Sequence, residues 1–418
     1  MADPRAPMPP LRVLLSEGGS TSAREAITVL GRAGHRVEIC DPSPRCLGRF
    51  SRHVTKFHRC LGLGRDPAGY LGFVEDLLAR EKFDVLLPIH EQGLLFSKVA
   101  PRLQRLTALA LPGYAAYRQV ISKAGFSRLL DELGLPQPQT RCVSSAAQLR
   151  ELARAPCVIK TAIGTASRGV WLVREPGQVD AALRDLDAID GFADEVLLQD
   201  FVAGPIEHAQ AVFANGELLA MHAYRRIAEG AGGGAAIKQS VRRDGVRADL
   251  AKIGRRLAWH GALSVDYILP ADDARPRYID CNPRLVEPMG AKLAGLDLID
   301  LLLRVSLGQS PPPPAESRSG VRTHLAMQAL LGFARDGGGR AGLLRQCRDL
   351  TWRRGPYAGS AEELTPVAAD WRSGVPTAIT AALLLLAPSL AGPLAAKGWG
   401  DHLLDAAALR RIDSAEIG

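Results

Sequence analysis

The chain has 418 residues, 47% hydrophobic and 23% charged, an ordinary globular balance with length for two or three domains and ample core. Its formal charge of +8 is scattered without a dense Lys/Arg run, which excludes nucleic acid as the default partner and suits an anionic small molecule. Seven cysteines (Cys40, Cys46, Cys60, Cys142, Cys157, Cys281 and Cys347), odd in number and without a CxxC pair, exclude a disulfide framework and a zinc site and predict a reducing, cytoplasmic location.

The amino-terminal "MADPRAPMPP" has no apolar stretch of signal-peptide type, so no signal peptide is expected. From about residue 10 to 115, strand and helix signals alternate: "LRVLLS", the turn "EGGSTS", the helical "AREAITVLGRAGH", the strand "RVEICD", an amphipathic stretch at 68–81 and the strand "FDVLLPIH". That alternation predicts a parallel, Rossmann-like sheet. The turn is no dinucleotide fingerprint, because GxGxxG is absent. It reads as a strand-to-helix turn capped by Ser or Thr, with a binding role for Ser20 and Ser22 as the lesser reading. "HEQGL" at 90–94 lacks the second histidine of a zinc motif, so no metal is expected there.

From about 116 to 310 the pattern becomes α+β. "ISKAGFSRLLDELGLPQPQT" is a helix ending at Gly134 with an extended, proline-spaced exit. "PCVIKTAIGTASRGVWLV" is two short strands around a glycine-containing loop, and "EVLLQDFVAG", "AQAVFANGELLAMHAYRR", "ALSVDYILP" and "RYIDCNP" are further strands. "NG" at 215–216 marks a tight hairpin. "SPPPPA" opens the third part, 311–418, as a linker or surface arm, since four prolines continue neither helix nor sheet. The Ala/Leu-rich remainder predicts a helical carboxy-terminal extension. Val375–Ala396 carries no charged residue and is long enough to span a bilayer. Pro376, Pro388 and Pro393 interrupt it, so a docked helical hairpin is favoured over a span. "AAKGWGDHLLDAAALRRI" after it resembles an amphipathic helix.

Two polar clusters carry chemistry. Asp266 and Asp280 flank the turn "ADDARP"; in a hairpin symmetric about Asp273 they are directly opposed, with Cβ atoms roughly 5 Å apart. Two like charges there repel unless a divalent cation joins them. Asn282 shares the face of Asp280 by strand alternation, and two carboxylates plus an amide oxygen are hard ligands suited to magnesium. Arg284 continues the parity and offers a fork for phosphate or carboxylate. The same residues also suit a solvent-facing polar strand edge. In the second cluster, Lys160 ends "CVIK" before the loop "TAIGTASRGV". There Gly164 and Gly169 permit close backbone approach, and Thr165 and Ser167 can donate to a phosphate. Val170 and Trp171 stand where a Walker A needs Lys-Ser/Thr, so that motif is excluded, and a plain hairpin tip fits the same residues.

The order of these stretches resembles the ATP-grasp superfamily over roughly residues 10–310, closest to the branch with biotin carboxylase and the carbamoyl-phosphate synthase large-subunit domains. The resemblance is carried by "ISKAGFSRLLDELGLPQP", "CVIKTAIGTASRGVWLV", "VLLQDFVAGPIEHAQAVF", "GALSVDYIL" and "YIDCNPR". It implies a Rossmann-like preceding domain (10–115), then an ATP-grasp domain (116–310) of two α+β subdomains, the lid at about 140–200. It also implies an ADP-forming ligase that phosphorylates a carboxylate and joins the acylphosphate to an amine, with ATP and Mg²⁺ (or Mn²⁺). On this resemblance Lys123 and Lys160 contact ATP phosphates, and 164–169 is the phosphate lid. Gln199, Asp200 and Val202 line the adenine, and Glu207 takes the ribose hydroxyls. Asp266, Asp280 and Asn282 hold the metal, and Arg284 meets the transferred phosphoryl or acylphosphate.

The chain departs from the pattern. Both metal carboxylates are Asp where Glu is commoner at the second position, Gln199 replaces a frequent Glu, and the loop has fewer glycines than that of biotin carboxylase. There is no biotinyl-carrier motif and a single ATP-grasp unit, which argues against those two specific identities. In "RRIAEGAGGGAAIKQSVRR", Arg225, Arg226, Lys238, Arg242 and Arg243 flank four glycines. Lys238 and Arg242 are assigned to the acyl-substrate pocket. His208 and His222 are expected to be structural, and Cys281 a core thiol. The partners expected are a small carboxylate and an amine, in amino-acid or peptide-like metabolism, with a homo-oligomer left open. The competing class is a non-ligating ATP-binding regulator or scaffold, membrane-associated through residues 375–396.

Overall fold

In the first strand, Val13, Leu14 and Leu15 are fully buried, as a strand covered on both faces of a parallel sheet requires. It is β1 (Arg12–Leu15), and with β2 (Arg36–Asp41), β3 (Val54–Arg59) and β4 (Val85–Leu87) it forms a four-stranded sheet of order β3-β2-β1-β4, parallel throughout. Sequence reading missed β3, an edge strand with only His58 buried, so its apolar signal is diluted. The helix Thr21–Arg32 follows β1 and starts on Ser20, whose Oγ accepts from Ala23 N at 3.0 Å, the expected cap. The amides of Gly18, Gly19 and Ser20 are taken by the chain's own Asp41 and Glu17 carboxylates, so this turn offers no free anion-binding nest. The computed structural model describes residues 8–164, 169–271, 273, 275–309, 311, 314–397 and 404–414.

A second sheet comprises β5 (Thr140–Val143), β6 (Cys157–Thr161), β7 (Val170–Val173) and β8 (Val196–Asp200), in the antiparallel order β5-β8-β6-β7. Its own small core includes Leu149, Ile159 and Leu186. The third and largest sheet contains β9 (Ile206–Ala214), β10 (Glu217–Glu229), β11 (Ala235–Val241), β12 (Gly261–Ile268), β13 (Arg277–Asn282), β14 (Arg322–His324) and β15 (Ser360–Glu362). Its order is β13-β12-β9-β10-β11-β14-β15. Asn215 and Gly216, at φ 48° and 92°, make the two-residue turn between β9 and β10, a left-handed pair that suits Asn-Gly.

The segment beyond 310 is more than a helical extension: β14 and β15 complete the large sheet. Sequence reading passed over them because three-residue strands carry little periodicity. The apolar 375–396 region forms the helix Gly374–Leu386, a short turn at Pro388–Leu390, and the helix Ala391–Lys397. Pro376 and Pro393 fall in first turns, where no helical N–H is lost, and Pro388 divides the helices. Among the described residues, no helix is long and apolar enough to cross a membrane.

Candidate active site

Asp266 on β12 is the register partner of Asp280 on β13, and Ser264 that of Asn282. The pairing then shifts, with Tyr267 opposite Tyr278, so Ile279 is an extra residue and the strand bulges there. Its carbonyl accepts from Lys160 Nζ at 2.9 Å. The bulge therefore joins the end of β6 in the second sheet to the hairpin of the third. Asp266 Oδ1 accepts from His208 Nδ1 at 2.9 Å and lies 3.9 Å from Arg226. Burial would raise its carboxyl, but the facing His208 and Arg226 hold it below the usual range. Asp280 Oδ1 lies 3.4 Å from Lys123 Nζ.

Asp266, Asp280 and Asn282 all line one cavity of about 380 Å³, a size ordinary for a small-molecule site. Two carboxylates and an amide oxygen are hard donors. Among the described residues no three His, Cys, Asp or Glu side chains gather as a metal cluster. Magnesium takes one or two carboxylates and leaves other positions to water and phosphate. The donor set thus fits the ion.

Lys160 and Lys123 line the cavity and are 6% and 7% exposed. Burial pushes the Lys160 ammonium down to about 8, with Lys123 adding to the fall and Asp280 and Asp266 opposing it. Lys123 starts the helix Lys123–Glu132, capped by Ser122, and donates to Gly164 O at 2.7 Å. Gly164 lines the cavity. Gly169 stands at φ 71°, where a Cβ would lie 2.2 Å from Thr161 Oγ1, so only glycine fits. Thr165 and Ser167 lie outside the described residues.

The opposite end is apolar. Val158, Leu172, Val202, Ile206 and Ile268 line it, together with Gln199 and Asp200 at the end of β8. Gln199 Nε2 donates to Thr140 Oγ1 at 2.8 Å, which fixes the amide. The arrangement can stack a flat apolar ring at one end and hold phosphates among Lys123, Lys160 and Arg284 at the other.

Four assigned residues among those described are not on the cavity wall: Gly169, which packs on Thr161, and Glu207, Lys238 and Arg242. Glu207 is fully buried, and Arg243 grips both its oxygens at 2.6 Å while Tyr267 adds a hydroxyl at 3.1 Å. Its neighbours Ile206 and His208 line the cavity, so by strand alternation Glu207 points the other way. Lys238 is 1% exposed, clamped by Glu287 and by Glu363 at 2.6 Å. Arg242 is exposed and pairs with Asp244 and Glu316 at 2.9 Å. Proximity to a glycine run was the wrong guide: Gly232, Gly233, Gly234 and Arg226 reach the cavity, not those two cations. His222 is buried, with its imidazole pushed down to about 3 by burial and then by Lys238 and His208. Cys281 also is buried, its thiol raised by burial and then by Asp280 and Asp266.

Ser20 and Ser22, whose binding role was the lesser reading of the turn, line the far wall, and with them Thr21, His90, Glu91, Glu287 and Leu404, which sequence reading missed. A signal existed for the turn, since ligands of parallel sheets bind at the carboxyl ends of the strands. Glu287 is a non-glycine residue at φ 52°, the kind of strained backbone that clusters at functional sites. It is held by Ser22 Oγ on its amide at 3.1 Å and by Lys238 on its carboxylate.

The parallel sheet followed by the small and large sheets of an α+β clasp gives this chain the ATP-grasp fold, as its structural neighbours show. It resembles biotin carboxylase of Campylobacter jejuni solved with an ATP analogue, at TM-score 0.59 and 16% identity over 75% of this chain and 74% of that one. It likewise resembles N5-carboxyaminoimidazole synthetase of Staphylococcus aureus, at TM-score 0.59 and 14% identity over 79% and 86%. The L-amino acid ligase of Bacillus licheniformis follows at TM-score 0.54 and 17% identity over 74% and 76%. In sequence it is 26% identical to the carbamoyl phosphate synthase large chain of Rubrobacter xylanophilus over 59% of this chain. It is 27% identical to the formate-dependent phosphoribosylglycinamide formyltransferase of Pelobacter propionicus over 30%. The matches cover only 26% and 33% of those two proteins. No protein-family model matches the chain.

Proposed function

We propose that the protein is an ATP- and magnesium-dependent ligase that phosphorylates a small carboxylate and joins the acylphosphate to an amine, releasing ADP and phosphate. The observation that carries this reading is the register pairing of Asp266 with Asp280 beside Lys160, Lys123 and Arg284 in one cavity. Asp266, Asp280 and Asn282 would hold magnesium or manganese, which when bound neutralises charge on the phosphates. Lys123 and Lys160 are fixed cations for the polyphosphate. Arg284, 7% exposed on the cavity wall, is a fork for the transferred phosphoryl group and the acyl oxygen.

A carboxylate of the substrate attacks the γ-phosphorus, the bond to the β–γ bridging oxygen breaks, and ADP leaves. The amine then adds to the acyl carbon, phosphate leaves, and a proton is lost from nitrogen. Glu287 and Glu91 give the acceptor end carboxylates that suit an amine. The likeness to an L-amino acid ligase supports an amino-acid or peptide-like product. The seven cysteines are free thiols, in keeping with work in the cytoplasm. ADP release screened over amino acids and small carboxylic acids, each with a panel of amines, tests the reading. ATP binding without ADP release for any pair would favour the nucleotide-sensing alternative.

A further inference from the structure

Residues 404–414 lie at the far end of the chain, yet they border the cavity. The helix Ala406–Ser414 buries Ala408, Leu409 and Ile412 in the same apolar cluster as Tyr70, Leu94 and Phe96 of the amino-terminal region. Lys98 Nζ donates to Ile412 O at 2.5 Å and Asp413 O at 2.9 Å, closing the end of the helix. Asp413 accepts from Tyr114 and, at 3.1 Å, from Arg118. Arg411 donates to Gly64 O at 2.6 Å. Just before this helix stands Leu404, 3% exposed, on the cavity wall beside Glu91, with its amide donating to the Glu91 carboxylate.

The anchors differ in strength. Each fully buried Leu or Ile contributes about 1.5–3 kcal/mol, so Leu404, Leu409 and Ile412 fix the segment on the body of the protein. Toward the second sheet, Arg410 pairs with Asp194, two residues before β8, at 3.1 Å, both half-exposed, an ion pair worth about 0–1 kcal/mol. The segment is therefore fastened firmly to the body and only weakly toward the second sheet.

We infer that residues 404–414 are a structural part of the active site, and that Leu404, positioned by Glu91, is the wall residue that closes the acceptor end against water and limits the size of the acceptor. This rests on the ATP-dependent reading above. The wall is apolar at Leu404 and acidic at Glu91, so it fits a compact amine and not a second phosphate or a long acyl chain. Its loss admits water to the bound nucleotide. The oxygen of water bonds the γ-phosphorus, the bond to the β–γ bridging oxygen breaks, and ADP, phosphate and a proton are released without product.

The test uses the full chain with MgATP as the only probe. Leu404→Ala should raise basal ADP release about tenfold, a barrier lower by roughly 1.4 kcal/mol, with MgADP affinity by calorimetry near that of the wild type and a lowered thermal midpoint, as loss of a buried leucine requires. An unchanged basal rate in a variant that folds and binds MgADP like the wild type overturns the inference. If Leu404→Ala fails to fold, hydrogen exchange on the wild type decides: MgADP should slow exchange across 404–414, and no change there overturns it. Failure of the wild type to bind any nucleotide would instead overturn the ATP-dependent reading, and the inference with it.

Discussion

Lys160 Nζ donates to the carbonyl of Ile279 at 2.9 Å, and Ile279 is the residue that the β13 bulge adds between Tyr278 and Asp280. One hydrogen bond thus ties Lys160 of the small sheet to the strand that carries Asp280. A slip of the bulge by one residue would turn Asp280 off the cavity and break this bond together.

Lys160 makes nucleotide binding depend on pH. Burial lowers it to about 8 from 10.5, so between those values the unfolded chain holds more protons than the folded one. Stability from this group therefore rises with pH through that window. Nucleotide binding runs the other way: the polyphosphate favours the charged ammonium, so MgATP binding above pH 8 should take up a proton and weaken as pH rises. Calorimetry at pH 8.5 in buffers of different ionisation enthalpy should report net uptake in the wild type and none in Lys160→Met. Lys160→Met should also bind at least about tenfold more weakly.

Asp280→Asn keeps the shape of the hairpin and removes one carboxylate charge. Turnover should fall at least about 100-fold, a loss of roughly 2.7 kcal/mol in transition-state stabilisation, with an unchanged thermal midpoint without ligand. Steady-state rates across a magnesium titration check this, and full activity at saturating magnesium would mean that Asp280 only weakly helps hold the ion.

Glu207→Gln should act on stability and leave the nucleotide alone. The change strands Arg243, and breaking a buried pair costs about 3 kcal/mol. Denaturant unfolding should show that loss while ATP affinity of the folded variant stays within about twofold. A selective loss of affinity with normal stability would restore the ribose role to Glu207.

Lys238→Met leaves Glu287, Glu363 and Glu25 facing one another without their cation. Burial and mutual repulsion already raise Glu25 and Glu363, against the pull of Lys238. Without that ammonium they can be accommodated only as neutral acids. Destabilisation should be about 3–5 kcal/mol at neutral pH and should shrink as pH falls, because protonation removes the repulsion. Thermal midpoints between pH 5 and 8 check the sign; a pH-independent loss would contradict it.

The paired aspartates were legible because their information is local: a turn of known centre and a period of two put Asp266 opposite Asp280. Lys160 was legible as the end of a short buried strand before a glycine loop. The placement of Glu207 off the cavity wall was not legible, because the family-like order of motifs gives position along the chain, whereas the face of β9 is set by its neighbours Ile206 and His208. The ion pairs of Lys238 and Arg242 were hidden for a related reason, since a charge near a loop says nothing about where its partners Glu363 and Glu316 lie. β14, β15 and Leu404 depend on contacts across tens to hundreds of residues and leave no local trace.

The most direct test of the central claim is a hydroxylamine trap run with MgATP over a panel of carboxylic acids. For an acid that is a substrate, hydroxamate and ADP should form together in a one-to-one ratio, and both should vanish in Asp280→Asn and Lys160→Met proteins that still fold. AMP and pyrophosphate in place of ADP would mean that the acid is adenylated and would contradict the account.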